Sequence, residues 1–151
     1  MLTPEQREAI VAEAASWVGT PYRGWSAVKG PHGGTDCGMI IKAVYQTLGL
    51  IPNGGLGIDM TYSLQVAQHL ADPTYLNHIE TFMREIPEEE VQAGDVVVYK
   101  LGLAFAHAGI IVKWPLFIHA LGHGGVRFSD GLSHPKLRNT TRKFYTLKDA
   151  E

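Results

Sequence analysis

Helical periodicity is confined to the first half of this chain and strand-like runs to the last third, and this segregation most limits the fold it can adopt. Ile10, Val11, Ala14, Trp17 and Val18 recur at helical spacing, and so do Cys37, Ile40, Ile41, Val44 and Leu48. After the turn Gly94-Asp95 the pattern changes to short strands at Val96–Tyr99, 107–113, 116–120, 126–129 and Lys143–Leu147. Alternating strands and helices would indicate a parallel sheet. Helices followed by strands indicate an α+β architecture, with N-terminal helices packed on a curled antiparallel β-sheet of about five or six strands.

The boundaries are marked locally. Thr3 can cap the first helix, Pro4 suits its first position, and Gln6 completes a capping box. Gly19 is the expected stop. Residues 19–36 hold seven glycines or prolines and read as a loop. A second helix is expected to start near Cys37 and to end at Gly49. Residues 50–60 read as a loop, and 61–71 as a short helix with Leu64, Ala67 and Leu70 on one face. After Pro73 the helical signal weakens, and Phe82, Met83 and Ile86 alternate imperfectly before Pro87-Glu88-Glu89-Glu90. The turns Lys113-Trp114-Pro115 and Gly122-His123-Gly124-Gly125 predict consecutive antiparallel pairs. With no repeat, linker or low-complexity segment, residues 1–151 read as one domain.

Composition excludes several classes. At 45% hydrophobic and 19% charged residues the chain can bury a core. A net charge of −2 supplies no footprint for nucleic acid, and the cluster Lys136, Arg138, Arg142 and Lys143 reads as a solvated edge. No apolar run is long enough for a membrane span. The N-terminal residues have neither the basic nor the apolar part of a secretory signal. The chain is therefore expected to be made in the cytoplasm and to reach any extracellular site by another delivery route. A single cysteine excludes an intrachain disulfide.

That cysteine, Cys37, follows Gly33-Gly34-Thr35-Asp36 at the expected start of a helix. The unpaired N–H groups and positive dipole end of a first helical turn favour a thiolate, the form that attacks carbonyls. His107 opens an apolar strand 70 residues later, flanked by Ala106, Ala108 and Gly109, small residues that leave room for a substrate beside the ring. His119 follows 12 residues on. If the two strands form a hairpin, the imidazoles come together, and His119 can set the tautomer of His107. Competing readings are a buried inert cysteine and a metal site built from Cys37, His107 and His119; His119 and His123 are also four apart, but Gly122, Gly124 and Gly125 argue against a helix there, and no CxxC or HExxH motif occurs. His32, His69, His78 and His134 have no assigned role.

At these residues the sequence resembles the NlpC-type cell-wall cysteine peptidases, a papain-like group. The matching segments are Trp17-Val18-Gly19-Thr20-Pro21-Tyr22, Thr35-Asp36-Cys37, Leu48-Gly49, Ala93-Gly94-Asp95-Val96-Val97, His107-Ala108-Gly109-Ile110, and Phe117-Ile118-His119-Ala120 with Gly125-Val126-Arg127. The resemblance implies Cys37 as nucleophile, His107 as base and His119 as the orienting third residue. It implies that Tyr22 lines the site and that Asp36 helps hold the free amine of a stem peptide. The implied reaction is hydrolysis of peptidoglycan peptides, typically at the γ-D-glutamyl–diamino acid amide, with no metal or organic cofactor. The family usually has Ser then Gly after the cysteine, where this chain has Gly38 and Met39. Catalytic-domain-only relatives occur in phage-tail and secreted-effector settings, which makes a phage-tail or secretion-system partner an expectation. A weakly active structural component of a phage tail and an acyltransferase on a non-wall substrate are the alternatives.

Overall fold

The computed structural model describes residues 1–51 and 74–148. The helix expected over 61–71, most of the loop at 50–60, and His69 lie outside the described residues.

Helix α1 (Pro4–Ala15) begins as its sequence predicts. Thr3 Oγ1 accepts from Gln6 N at 3.1 Å, and Gln6 Oε1 accepts from Thr3 N at 2.9 Å. The helix ends a turn earlier than expected from Gly19. Trp17, Val18 and Thr20 donate to carbonyls three residues back, which tightens the exit. Gly19 N and Thr20 O then bond to Val126, tying this exit to a distant strand. The glycine-rich stretch that follows is not wholly loop: Ala27–Val28 (β1) and Gly34–Thr35 (β2) form a small antiparallel ladder.

Helix α2 (Met39–Thr47) ends at Gly49, as expected. Gly49 has φ +71°; its N–H donates to Gln46 O, and Leu50 N–H donates to Tyr45 O. These two bonds are the Schellman arrangement that glycine's left-handed backbone allows. Helix α3 (Thr74–Phe82) leads directly into strand β3 (Met83–Ile86), which sequence reading did not assign. Only Met83 and Ile86 of β3 are buried, so its two-residue periodicity is broken.

Strands β4 (Val96–Leu101), β5 (Ala104–Lys113), β6 (Leu116–Leu121), β7 (Gly125–Asp130) and β8 (Arg142–Leu147) complete a six-stranded antiparallel sheet in the order β3-β8-β4-β5-β6-β7. The run β4 to β7 is the expected series of consecutive pairs. The last strand returns between β3 and β4. At that edge Arg142 pairs with Glu88 at 3.2 Å and Lys143 with Glu85 at 3.8 Å.

Alternation along the strands divides the interior into two cores. Val96, Val98, Ala108, Ile110, Ile118 and Tyr145 face α1 and α2. Val97, Tyr99, Ile111, Phe117 and Phe144 face the other way, under Leu137 of the β7–β8 connection. Burying each large apolar side chain contributes about 1.5–3 kcal/mol, so both faces hold the sheet. The Gly94-Asp95 turn is pinned from within: Asp95 Oδ1 accepts from Arg7 at 2.8 Å and Thr146 at 2.6 Å, and Tyr45 donates to Gly94 O at 2.6 Å. No described helix is long and apolar enough to cross a membrane.

Candidate active site

Cys37 is placed by its neighbour. Regular helix α2 starts at Met39, yet its hydrogen bonding starts earlier, with Ile40 N donating to Asp36 O at 3.1 Å. Asp36 Oδ1 accepts from Gly38 N at 3.0 Å and Met39 N at 2.9 Å. Asp36 therefore acts as the N-terminal cap and Cys37 as the first residue inside it. The other carboxylate oxygen accepts from Trp25 N at 2.5 Å. Trp25 has φ +56° and a mostly exposed side chain. A left-handed backbone costs a non-glycine residue roughly 1–2 kcal/mol, and the charged acceptor offsets it. Asp36, expected beside a substrate amine, is fully buried, and these bonds are structural.

The route by which Cys37 meets the sheet is a β-bulge. Tyr99 pairs with His107, but the next residue, Lys100, pairs with Phe105, leaving Ala106 as the extra residue of β5. Cys37 Sγ donates to the Ala106 carbonyl at 3.7 Å. Cys37 belongs to the helix-side core, whereas His107 and His119 lie among Tyr99 and Phe117 on the opposite face, with ring centroids 6.4 Å (Tyr99–His107) and 4.4 Å (Phe117–His119) apart. The bulge brings the β5 backbone to Cys37 Sγ one residue before His107.

The histidines meet as the hairpin predicts. The atoms His107 Nε2 and His119 Nδ1 are 2.8 Å apart, and His119 Nε2 is 2.8 Å from Ser129 Oγ. The small residues beside His107 serve a different purpose from the expected one. Ala108 is fully buried in the helix-side core. A side chain at Gly109 would run into the Phe117 ring and the Ile118 carbonyl. The space there is taken by Phe117, and not left for a substrate.

Tyr22 bridges to Thr35 next to the cap. Burial, then the neighbouring Cys37 and Asp36, push its hydroxyl above the ordinary value, so it remains a hydrogen-bond donor near the nucleophile. Three features escaped sequence reading. Ser129 lies two residues beyond Arg127, the cross-strand partner of His119, so only the register identifies it. The His134 ring stands 5.9 Å from that of His119; this histidine, left without a role, borders the site. Tyr99, opposite His107, is fully buried, and its hydroxyl has no partner among the described residues.

Burial, and then nearby His134, lower the His107 pKa to about 4. Burial, followed by His107, His134 and Arg127, lowers that of His119 as well. Both rings are neutral in the fold at pH 7. An unfolded histidine titrates near 6.5. Below that pH the unfolded chain binds protons that the folded chain refuses, so stability falls as pH falls from about 6.5 towards 4. Between pH 7 and 5 the expected loss is on the order of 2–4 kcal/mol. Denaturant midpoints across this window check it, and His119→Asn should flatten the slope. A wild-type midpoint independent of pH would contradict the neutral pair.

Comparison with known proteins bears on the fold and the family of the chain. No curated protein matches the chain. Among solved structures, the NlpC/p60 domain of the peptidoglycan hydrolase SagA is 22% identical, with a TM-score of 0.57 over 91% of this chain and 96% of that domain. NlpC1 from Trichomonas vaginalis is 15% identical, with a TM-score of 0.61; the match covers 96% of this chain but only 45% of that protein. RipD from Mycobacterium tuberculosis, described as a non-catalytic NlpC/p60 domain protein adapted to peptidoglycan binding, is 12% identical, with a TM-score of 0.59 over 93% of this chain and 95% of that one. At these identities the likeness is one of fold, an α+β arrangement of the papain-like kind. A phage setting finds no support in it. Residues 19–145 match the NlpC/P60 family itself, a span that contains Tyr22, the capped cysteine and both histidines; the chain belongs to the NlpC/P60 family.

Proposed function

We propose that this chain is a cysteine peptidase that hydrolyses peptidoglycan stem peptides at the γ-D-glutamyl–diamino acid amide bond. The observation that carries the reading is the neutral, hydrogen-bonded pair His107–His119, with His107 on the strand whose bulge meets Cys37 Sγ. Nε2 of His107 is engaged by His119, so Nδ1 is the nitrogen left to exchange a proton with the thiol. The thiol proton passes to Nδ1 as sulfur attacks the amide carbonyl. The Cys37 backbone N–H, in the first turn of α2, serves the developing oxyanion. His107 returns the proton to the leaving amine as the C–N bond breaks. Water then attacks the thioester, giving up a proton to His107, and the free carboxylate leaves with the thiol restored. Asp36 adds negative charge beneath the position of a stem-peptide amine, and the Tyr22 hydroxyl is available to a substrate carbonyl. The substrate places the site of action at the cell wall.

A second reading is binding without cleavage. The observation in its favour is Gly38-Met39 in place of the family's Ser-Gly after the cysteine. Digestion of diaminopimelate-type peptidoglycan, with products read by mass spectrometry, decides between them. New γ-D-glutamyl carboxyl termini and free diamino-acid amines are expected, and pretreatment with iodoacetamide should abolish both. Retention of the chain on intact sacculi with no new termini would establish the second reading.

A further inference from the structure

The third residue of a cysteine–histidine site acts only in one tautomer, and in this chain a side chain outside the expected triad selects it. His107 accepts the thiol proton at Nδ1 only if its own hydrogen is on Nε2. That hydrogen then points at His119 Nδ1, 2.8 Å away, which must be an unprotonated acceptor. A neutral His119 with Nδ1 bare carries its hydrogen on Nε2, and Nε2 faces Ser129 Oγ at 2.8 Å. If Ser129 donated instead, every hydrogen in the chain would reverse. His107 would then present an N–H to the thiol, and the site would have no base.

We propose that Ser129 is a positioning residue of this site: its hydroxyl oxygen accepts the Nε2 hydrogen of His119, holding His119 Nδ1 as the acceptor for His107. This rests on the hydrolase reading only for its consequence in turnover, since the tautomers belong to the resting protein. Two features of the surroundings favour the direction. Ser129 is half-buried on the edge strand β7, so its own hydrogen can go to solvent while the oxygen accepts. His119 is fully buried, and its side-chain hydrogen-bond partners among the described residues are His107 and Ser129. The register places Ser129 opposite Phe117, whose ring packs against His119, so the hydroxyl approaches diagonally across the β6–β7 ladder.

The test is nitrogen NMR of 15N-histidine-labelled protein, with the rate of Cys37 alkylation by iodoacetamide measured against pH. Wild type, Ser129→Ala and Ser129→Thr are compared. In the wild type, His119 should show a protonated Nε2 and a bare Nδ1. In Ser129→Ala its tautomers should mix. Alkylation at pH 7 should slow roughly tenfold, a small part of what a wrong tautomer costs in a catalytic triad, with a displaced pH profile. Threonine keeps the hydroxyl and suits a strand; it should restore both readouts. A hydrogen on Nδ1 of wild-type His119 would overturn the proposal, as would an alanine variant with wild-type rate and profile. If the alanine variant does not fold, the wild-type spectrum and the threonine variant still decide. Intact peptidoglycan after incubation with a protein giving the expected spectra would refute the hydrolase reading and leave Ser129 in its role.

Discussion

Cys37→Ala is expected to lower kcat/KM on a soluble stem peptide by about 10⁴-fold or more, the scale on which a missing nucleophile acts when binding and oxyanion donors remain. The site offers no substitute. His107 and His119 are neutral bases with no bond-forming role, and the Tyr22 phenol is held protonated by burial and by its neighbours. The fold should survive. Cys37 is buried and its described bond is the weak one to the Ala106 carbonyl. The cap that positions it belongs to Asp36. Loss of one sulfur atom there should cost about 1 kcal/mol, which calorimetry would register as a shift of a few degrees. A variant cleaving within tenfold of wild type would remove Cys37 from the reaction. A variant inactive because it had unfolded would show itself in the same melt.

The second large effect concerns stability. Asp36→Ala should destabilise the chain by on the order of 3–5 kcal/mol, more than the roughly 1 kcal/mol of an ordinary cap. The difference comes from burial. The carboxylate is fully enclosed and accepts three backbone N–H groups, those of Gly38, Met39 and Trp25. Alanine would leave these donors without their acceptor, and it would remove the negative charge from the positive end of α2. For a chain of this size the melting temperature should fall by roughly 10 °C or more. Asp36→Asn separates the two duties. Its single oxygen can cap α2 or receive Trp25 N–H, but its NH₂ can do neither. Asparagine should therefore melt between wild type and alanine. Its activity should fall further than its stability, because either the helix start that carries Cys37 or the strained Trp25 turn is released. Thermal melts of both variants, with the rate of iodoacetamide modification as the measure of Cys37 placement, test this. An alanine variant melting within 2–3 °C of wild type would show that these bonds do not hold the helix start.

How far the sequence could be read depended on the range of the interaction concerned. The capping box at Thr3 and Gln6, the glycine stop at Gly49 and the strands after Gly94 all came out as expected, because each depends on residues within one or two turns of one another. The early end of α1 did not, because the chain there is drawn off by Val126, more than a hundred residues away. Strand β3 was missed because it is an edge strand with only its ends buried, which leaves little alternation to detect. Gly109 was assigned to substrate access on the strength of its size. Its reason is the Phe117 ring, which a cross-strand neighbour supplies.

Cys37, His107 and His119 could be named as a set because residue type, helix start and strand position are all local properties. By itself the sequence determined the α+β order, the capped helix that carries the thiol, and the hairpin that brings two imidazoles onto adjacent strands. Tertiary structure alone decided which residues complete the site. The bulge at Ala106 depends on how β5 meets β4, the contact of Ser129 on the register of β7 against β6, and the approach of His134 on the path of the β7–β8 connection. In a sheet, a slip of one residue turns a side chain to the opposite face. The hydrogen-bonded order from His107 through His119 to Ser129 is therefore a property of strand register, which the packing of both cores sets.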